Sequence, residues 1–214
     1  MYHPTRRAFV SLIPGALALS GCVTTQSQSR SNTGPAYRVV EYQSGQKPGT
    51  IIVDPGSHFL YSVQDARQAL QYEVGVGKEG YGWSGFAIVH DKKEWPDWYP
   101  TADILQRKPE IRQYMVQLQN GSGMHGGPDN PLGARALYLW QGNADTLYRI
   151  HGTNEPDSIG QNVSSGCIRM RNESVDLYDR TPIGTKVIVL AVQSARKSSS
   201  EIMIIEAIDG MCGN

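Results

Sequence analysis

Residues 149–171, RIHGTNEPDSIGQNVSSGCIRMR, place one histidine and one cysteine in a setting of glycine, serine and asparagine. Thiol acyl transfer needs these residue types: a nucleophilic sulfur, a base beside it, backbone freedom at the attacking atom and donors aimed at the developing oxyanion. His151 ends the alternating run Leu147-Tyr148-Arg149-Ile150, so the pattern predicts it at the end of a strand. Cys167 follows the loop Ser164-Ser165-Gly166 and leads into Ile168-Arg169-Met170. The intervening stretch suits a loop that leaves one strand and returns beside it. A lone cysteine is ordinarily a small buried hydrophobe, and a lone histidine a satisfied polar residue. Gly166 shifts that balance, because glycine tolerates positive φ and lets a substrate approach the backbone. A neighbouring imidazole would raise the thiolate fraction at neutral pH, since a free thiol has a pKa of about 8.5.

Holding such a pair requires a framework of strands. The 23 glycines, 12 prolines and 11 tyrosines favour short strands and turns over a helical bundle. The expected fold is mainly β, a sandwich or closed mixed sheet with a few short helices. Tyr37–Tyr42 reads as an edge strand and Thr50–Asp54 as a core strand, with the turn Pro55-Gly56-Ser57 leading to Phe59–Val63 in a hairpin. A helical turn is predicted at 64–70, a strand at 72–77, short helices at 102–107 and 109–118, and strands at 132–140 and 185–192. Asn172 reads as the N-cap of a last helix, with Glu173 and Asp176 favourable in its first turn. Trp95 and Trp98 suit either packing in an irregular lobe or one wall of a substrate cleft.

Several function classes fall away. With 20 acidic and 20 basic side chains, the chain has no field that would draw nucleic acid. Gly75-x-Gly77-x-x-Gly80 fits the dinucleotide pattern formally, but that pattern must open a helix. Here it runs into Tyr81-Gly82-Trp83-Ser84-Gly85, which predicts a β-hairpin. His3, His58, His90, His125 and His151 form no closely spaced ligand set with cysteines, so neither a metal nor another cofactor is expected. His125, in the glycine-rich loop 121–131, reads either as a surface residue or as a second active-site group.

The termini read as attachments. Residues 1–22 pair Arg6-Arg7 with a short apolar run and end in Leu19-Ser20-Gly21-Cys22, an export signal of either the ordinary or the twin-arginine type. The last four residues resemble a lipobox, which implies diacylation of Cys22 and a membrane anchor. A flexible polar tether is expected at 23–36 and a catalytic domain at 37–192. An extension at 193–214 carries Cys212, which reads as a free thiol or as a disulfide partner of Cys167.

The run HGTN, SIG and SSGCIRM resembles the active-site signature of L,D-transpeptidases with a YkuD-type catalytic domain. PDNPLGARALYL (128–139), VGVGKEGYGWSG (74–85) and 172–190 extend the likeness over about residues 49–192. The resemblance implies Cys167 as nucleophile, His151 as base and Gly152 as the residue whose carbonyl orients the imidazole. It implies substrate or oxyanion contacts from Ser164, Ser165, Gly166 and Arg169, the last binding a peptide carboxylate or shaping the site. Ser165 departs from the many relatives with histidine there. The implied substrate is the peptidoglycan stem tetrapeptide, and the implied products are 3→3 cross-links or attachment of an envelope lipoprotein through an acceptor amine. Hydrolysis of the same acyl-enzyme, as a carboxypeptidase or amidase, is the alternative, and a non-catalytic wall-binding module is the third reading. The implied location is the periplasm, with the outer membrane favoured because Val23, not aspartate, follows Cys22.

Overall fold

The computed structural model describes residues 36–192. The signal at 1–22 with Cys22, the tether up to residue 35, and the 193–214 extension with Cys212 lie outside the described residues. The strands are β1 (Arg38–Glu41), β2 (Ile51–Asp54), β3 (Phe59–Val63), β4 (Gln68–Glu73), β5 (Val76–Gly77), β6 (Gly85–Glu94), β7 (Val116–Leu118), β8 (Gly121–Gly123), β9 (Arg135–Gln141), β10 (Ala144–His151), β11 (Asn162–Ser164), β12 (Ile168–Arg169) and β13 (Lys186–Val189). Two short helices, α1 (Ala102–Arg107) and α2 (Val175–Arg180), join them.

Nine strands form one mixed sheet in the order β1-β4-β3-β2-β13-β6-β9-β10-β12. Inward-facing positions of β3, β6, β9 and β13, together with β2, whose Ile51, Ile52 and Val53 are all buried, bring Val53, Leu60, Val89, Leu139 and Val187 into a fully buried core. Each such side chain contributes about 1.5–3 kcal/mol by leaving water. β13 lies parallel to β2 and antiparallel to β6, so the last described strand closes the middle of the sheet. α2 packs beneath the β9–β10 end through buried Leu177, and Tyr72 Oη donates to Asp176 Oδ2 at 2.7 Å.

Several local expectations are corrected. Residues 68–73 form β4 between β1 and β3, and no helical turn forms at 64–70; Asp65 Oδ1 instead accepts from the amides of Arg67 and Gln68 at 2.8 Å. Gly75–Gly80 is not a hairpin, because β5 pairs parallel with β11, not with β6. The predicted helix at 109–118 is a 3-10 turn, Pro109–Tyr114, followed by β7. Ser174, not Asn172, is the N-cap of α2.

Candidate active site

β10 and β12 run parallel, with Ile150 opposite Ile168 and His151 opposite Arg169. Extending that register sets Cys167 opposite Arg149, so His151 and Cys167 are diagonal neighbours on one face. Strand spacing and rise put their Cα atoms about 8 Å apart, within reach of two side chains. Both line one cleft of ≈ 480 Å³, whose walls include Trp98, Ile104, Arg107, Leu132 and Glu155. The parallel register is therefore the feature that turns two distant sequence positions into a pair.

His151 is buried, and its Nδ1 lies 2.5 Å from the carbonyl oxygen of Gly152. A carbonyl only accepts, so Nδ1 carries the proton and Nε2 is left as the basic nitrogen. Burial pushes the imidazole down to about 4, reinforced by the Arg169 and Arg149 charges and opposed by the Gly152 and Leu132 carbonyls. Asn172 fixes the turn that supplies the Gly152 carbonyl. Its Oδ1 accepts from the amides of Ala134 (3.0 Å) and Thr153 (3.1 Å), and its Nδ2 donates to the Thr153 carbonyl at 2.9 Å. A Cβ on Gly152 would collide with Asn172 Oδ1, so glycine is required there by the clamp itself.

The loop before Cys167 is held from within. Ser164 Oγ donates to the Cys167 carbonyl at 2.6 Å and accepts from the Gly166 amide at 3.1 Å. Ser164 is buried and both its bonds stay inside its own loop, so its geometry is that of a positioning residue. The Gly166 amide is likewise already engaged. Gly166 has φ +114°, and a Cβ there would strike the Tyr148 ring and approach the Tyr81 carbonyl. The thiol lies 3.8 Å from the carbonyl of Leu147, a residue with φ +63° inside a β10 bulge. Burial pushes the thiol up, against the Arg149 amide and the Arg149 and Arg169 charges. Both shifts favour the uncharged forms, the thiol through its desolvation and the imidazole through its burial.

Arg169 Nη1 donates to Glu155 Oε2 at 2.6 Å, and Arg149 holds both oxygens of Asp145 at 2.7 Å. Ser165 is exposed, and its Oγ accepts from Arg107 Nη2 at 3.0 Å. Trp98 lines the cleft, whereas Trp95 is half exposed and does not. His125 is exposed beside Asp97 and also lies outside the cleft lining. Asn172, Arg107 and Glu155 were not singled out from the sequence as site residues. The spacing of Asn172 from the Ser-Gly-Cys block offers a signal, but Arg107 offers none. Among the described residues no group of three or more His, Cys, Asp or Glu side chains is placed to hold a metal ion.

The YkuD family profile, the L,D-transpeptidase catalytic domain, matches residues 48–189. The chain belongs to that family. Among curated relatives, the probable L,D-transpeptidase ErfK/SrfK of Escherichia coli is 31% identical over 67% of this chain and 44% of its own length. The probable L,D-transpeptidase YbiS of Escherichia coli is 34% identical over 65% of this chain and 43% of its own length. This chain thus spans less than half the length of these relatives. A crystal structure from Brucella melitensis, described as a probable carnitine operon oxidoreductase, is 48% identical over 72% of this chain and 92% of that one, with a TM-score of 0.48. In the YkuD chain, the glycines of the formal dinucleotide pattern lie around β5 and open no helix. Gly75 instead pairs with Arg169, through amide-to-carbonyl bonds of 2.9 and 2.8 Å.

Proposed function

We propose that this YkuD-family protein is an L,D-transpeptidase acting on peptidoglycan stem tetrapeptides through a thioester on Cys167. The observation that carries the reading is the parallel β10–β12 register, which sets Cys167 beside a His151 whose Nδ1 proton is held by Gly152 and whose Nε2 is free to act as base. The thiol proton passes to the imidazole as the bond forms. Sγ attacks the carbonyl carbon on the L-centre side of the L,D amide, and Nε2 takes the thiol proton. The Cys167 amide and neighbouring loop amides other than the engaged Gly166 N–H stabilise the oxyanion. The C–N bond then breaks, the leaving amine takes the proton from His151, and a terminal D-amino acid departs. A neutral acceptor amine attacks the thioester and gives its proton to His151; the C–S bond breaks, and the departing sulfur takes that proton to restore the thiol.

The acceptor is a second stem, giving 3→3 cross-links, or an envelope protein, giving a wall anchor. Lipidation of Cys22 and retention at the outer membrane complete the proposal, supported by Leu19-Ser20-Gly21-Cys22 and the absence of aspartate at position 23. Cys22→Ser should release the protein from membranes, and unchanged membrane association with an unchanged mature N-terminus would remove the anchor from the reading. The reaction is tested by product analysis with a stem tetrapeptide, with and without an added acceptor amine. Transfer products that depend on the amine are expected. Hydrolysed tripeptide alone, at every amine concentration, would replace transpeptidation by carboxypeptidase action.

A further inference from the structure

Four cationic side chains, Lys78, Arg107, Lys108 and Arg169, line the cleft with the carboxylates Asp129 and Glu155. Arg169 is paired through one nitrogen, Nη1, which donates to Glu155 at 2.6 Å. Arg107, at the end of α1, differs in how it is held. Its Nε and Nη2 both donate to one oxygen, Asp103 Oδ2, at 3.0 and 2.5 Å, and Nη2 also reaches Ser165 Oγ at 3.0 Å. The guanidinium carbon lies 4.6 Å from the centroid of the Tyr81 ring. Nη1 has no hydrogen-bond partner among the described residues, so a guanidinium fixed on one side by three neighbours keeps one nitrogen open. Lys78 and Lys108, which form no salt bridge among the described residues, add positive charge to the same cleft.

Substrate geometry then decides where a carboxylate must lie. When the leaving group is a single amino acid, one N–Cα unit separates its carboxylate from the scissile carbonyl, a distance within about 4 Å. The carboxylate therefore falls against the wall next to the nucleophile. Ser165, two positions before Cys167, is part of the cleft lining, and Arg107 donates to it. A planar guanidinium held in place suits a carboxylate better than a mobile ammonium does.

We propose that Arg107 is the specificity-determining residue that recognises the free carboxylate of the departing amino acid. This deepens the transpeptidase reading and rests on it. The substrate class follows: acyl donors ending in a single amino acid with an unblocked carboxylate, rather than donors whose terminus is amidated.

The test compares two tetrapeptides that differ only in a terminal carboxylate or carboxamide, with release of the last residue as readout. Arg107→Gln should lower kcat/KM for the carboxylate donor by about 10- to 100-fold, the range of a charge-assisted hydrogen bond, mostly through KM. The carboxamide donor should change little, and Arg107→Lys should recover part of the loss. Unchanged melting temperatures would show that α1 stays in place. Equal losses on both donors would reduce Arg107 to a strap on Ser165 and overturn the proposal, as would no loss on either. A wild-type protein that releases nothing from either donor contradicts the transpeptidase reading itself, and the proposal with it.

Discussion

The Nδ1–H of His151 donates to the carbonyl of Gly152 at 2.5 Å, so the imidazole and the group that fixes its tautomer are neighbours in the chain. Their geometry is nevertheless set from elsewhere. Asn172, on the far side of the nucleophile loop, ties the Gly152–Thr153 turn to Ala134. Burial of the same imidazole then determines how the site answers to pH.

An unfolded histidine takes its proton near pH 6.5, whereas His151 in the folded protein takes it at about 4. Between those values the unfolded chain binds more protons, so stability rises with pH across the window. The contribution is complete above about pH 6.5 and lost as pH falls through 4, amounting to roughly 3 kcal/mol. Urea denaturation near neutrality and again near the lower limit, for wild type and His151→Gln, measures it. Wild type should lose more stability on acidification than the variant does; parallel losses would show that His151 is not the titrating group. The acid limb of kcat/KM should likewise fall near pH 4 rather than at the ordinary histidine value.

Asn172→Ala removes the acceptor shared by two main-chain amides, and the expected loss of stability is about 1–3 kcal/mol. Asn172→Asp keeps the acceptor and should lose less. Acylation of Cys167 should slow in the alanine variant, because the Gly152 carbonyl is no longer fixed. A change of under about 0.5 kcal/mol, the size of an ordinary surface substitution, would deny Asn172 its bracing role.

Much of this site was legible in the sequence because its chemistry is local in the chain. His151, Gly152, Gly166 and Cys167 fall within one short stretch, and the run before His151 alternates as a strand does. Asn172 was read as a helix cap because asparagine before a helix is the common meaning of that pattern; its actual partners lie at 134 and 153. Residues 64–70 looked helical from arginine, glutamine, alanine and leucine, but pairing with β1 and β3 on both sides overrides such propensity. The contact of Arg107 with Ser165 spans 58 positions, and no local pattern encodes it.

Desolvation of the thiol has its own consequence for Cys167. With Cys22 and Cys212 replaced by serine, the rate of alkylation by iodoacetamide should keep rising beyond the pH at which an ordinary thiol has ionised, because burial pushes this thiol up. A plateau reached already near pH 6 would indicate a preformed thiolate–imidazolium pair instead.

Acylation of Cys167 is the step on which the proposed function depends. A carbapenem offers a strained amide carbonyl beside a carboxylate, and attack by Sγ opens the ring to leave a thioester. Intact-mass measurement of the protein beginning near Ser31, which lacks Cys22, reads this directly. One adduct is predicted in wild type and in Cys212→Ala, and none in Cys167→Ala, while His151→Ala should form it about 10²- to 10⁴-fold more slowly. An adduct that persists in Cys167→Ala would contradict the assignment of the nucleophile.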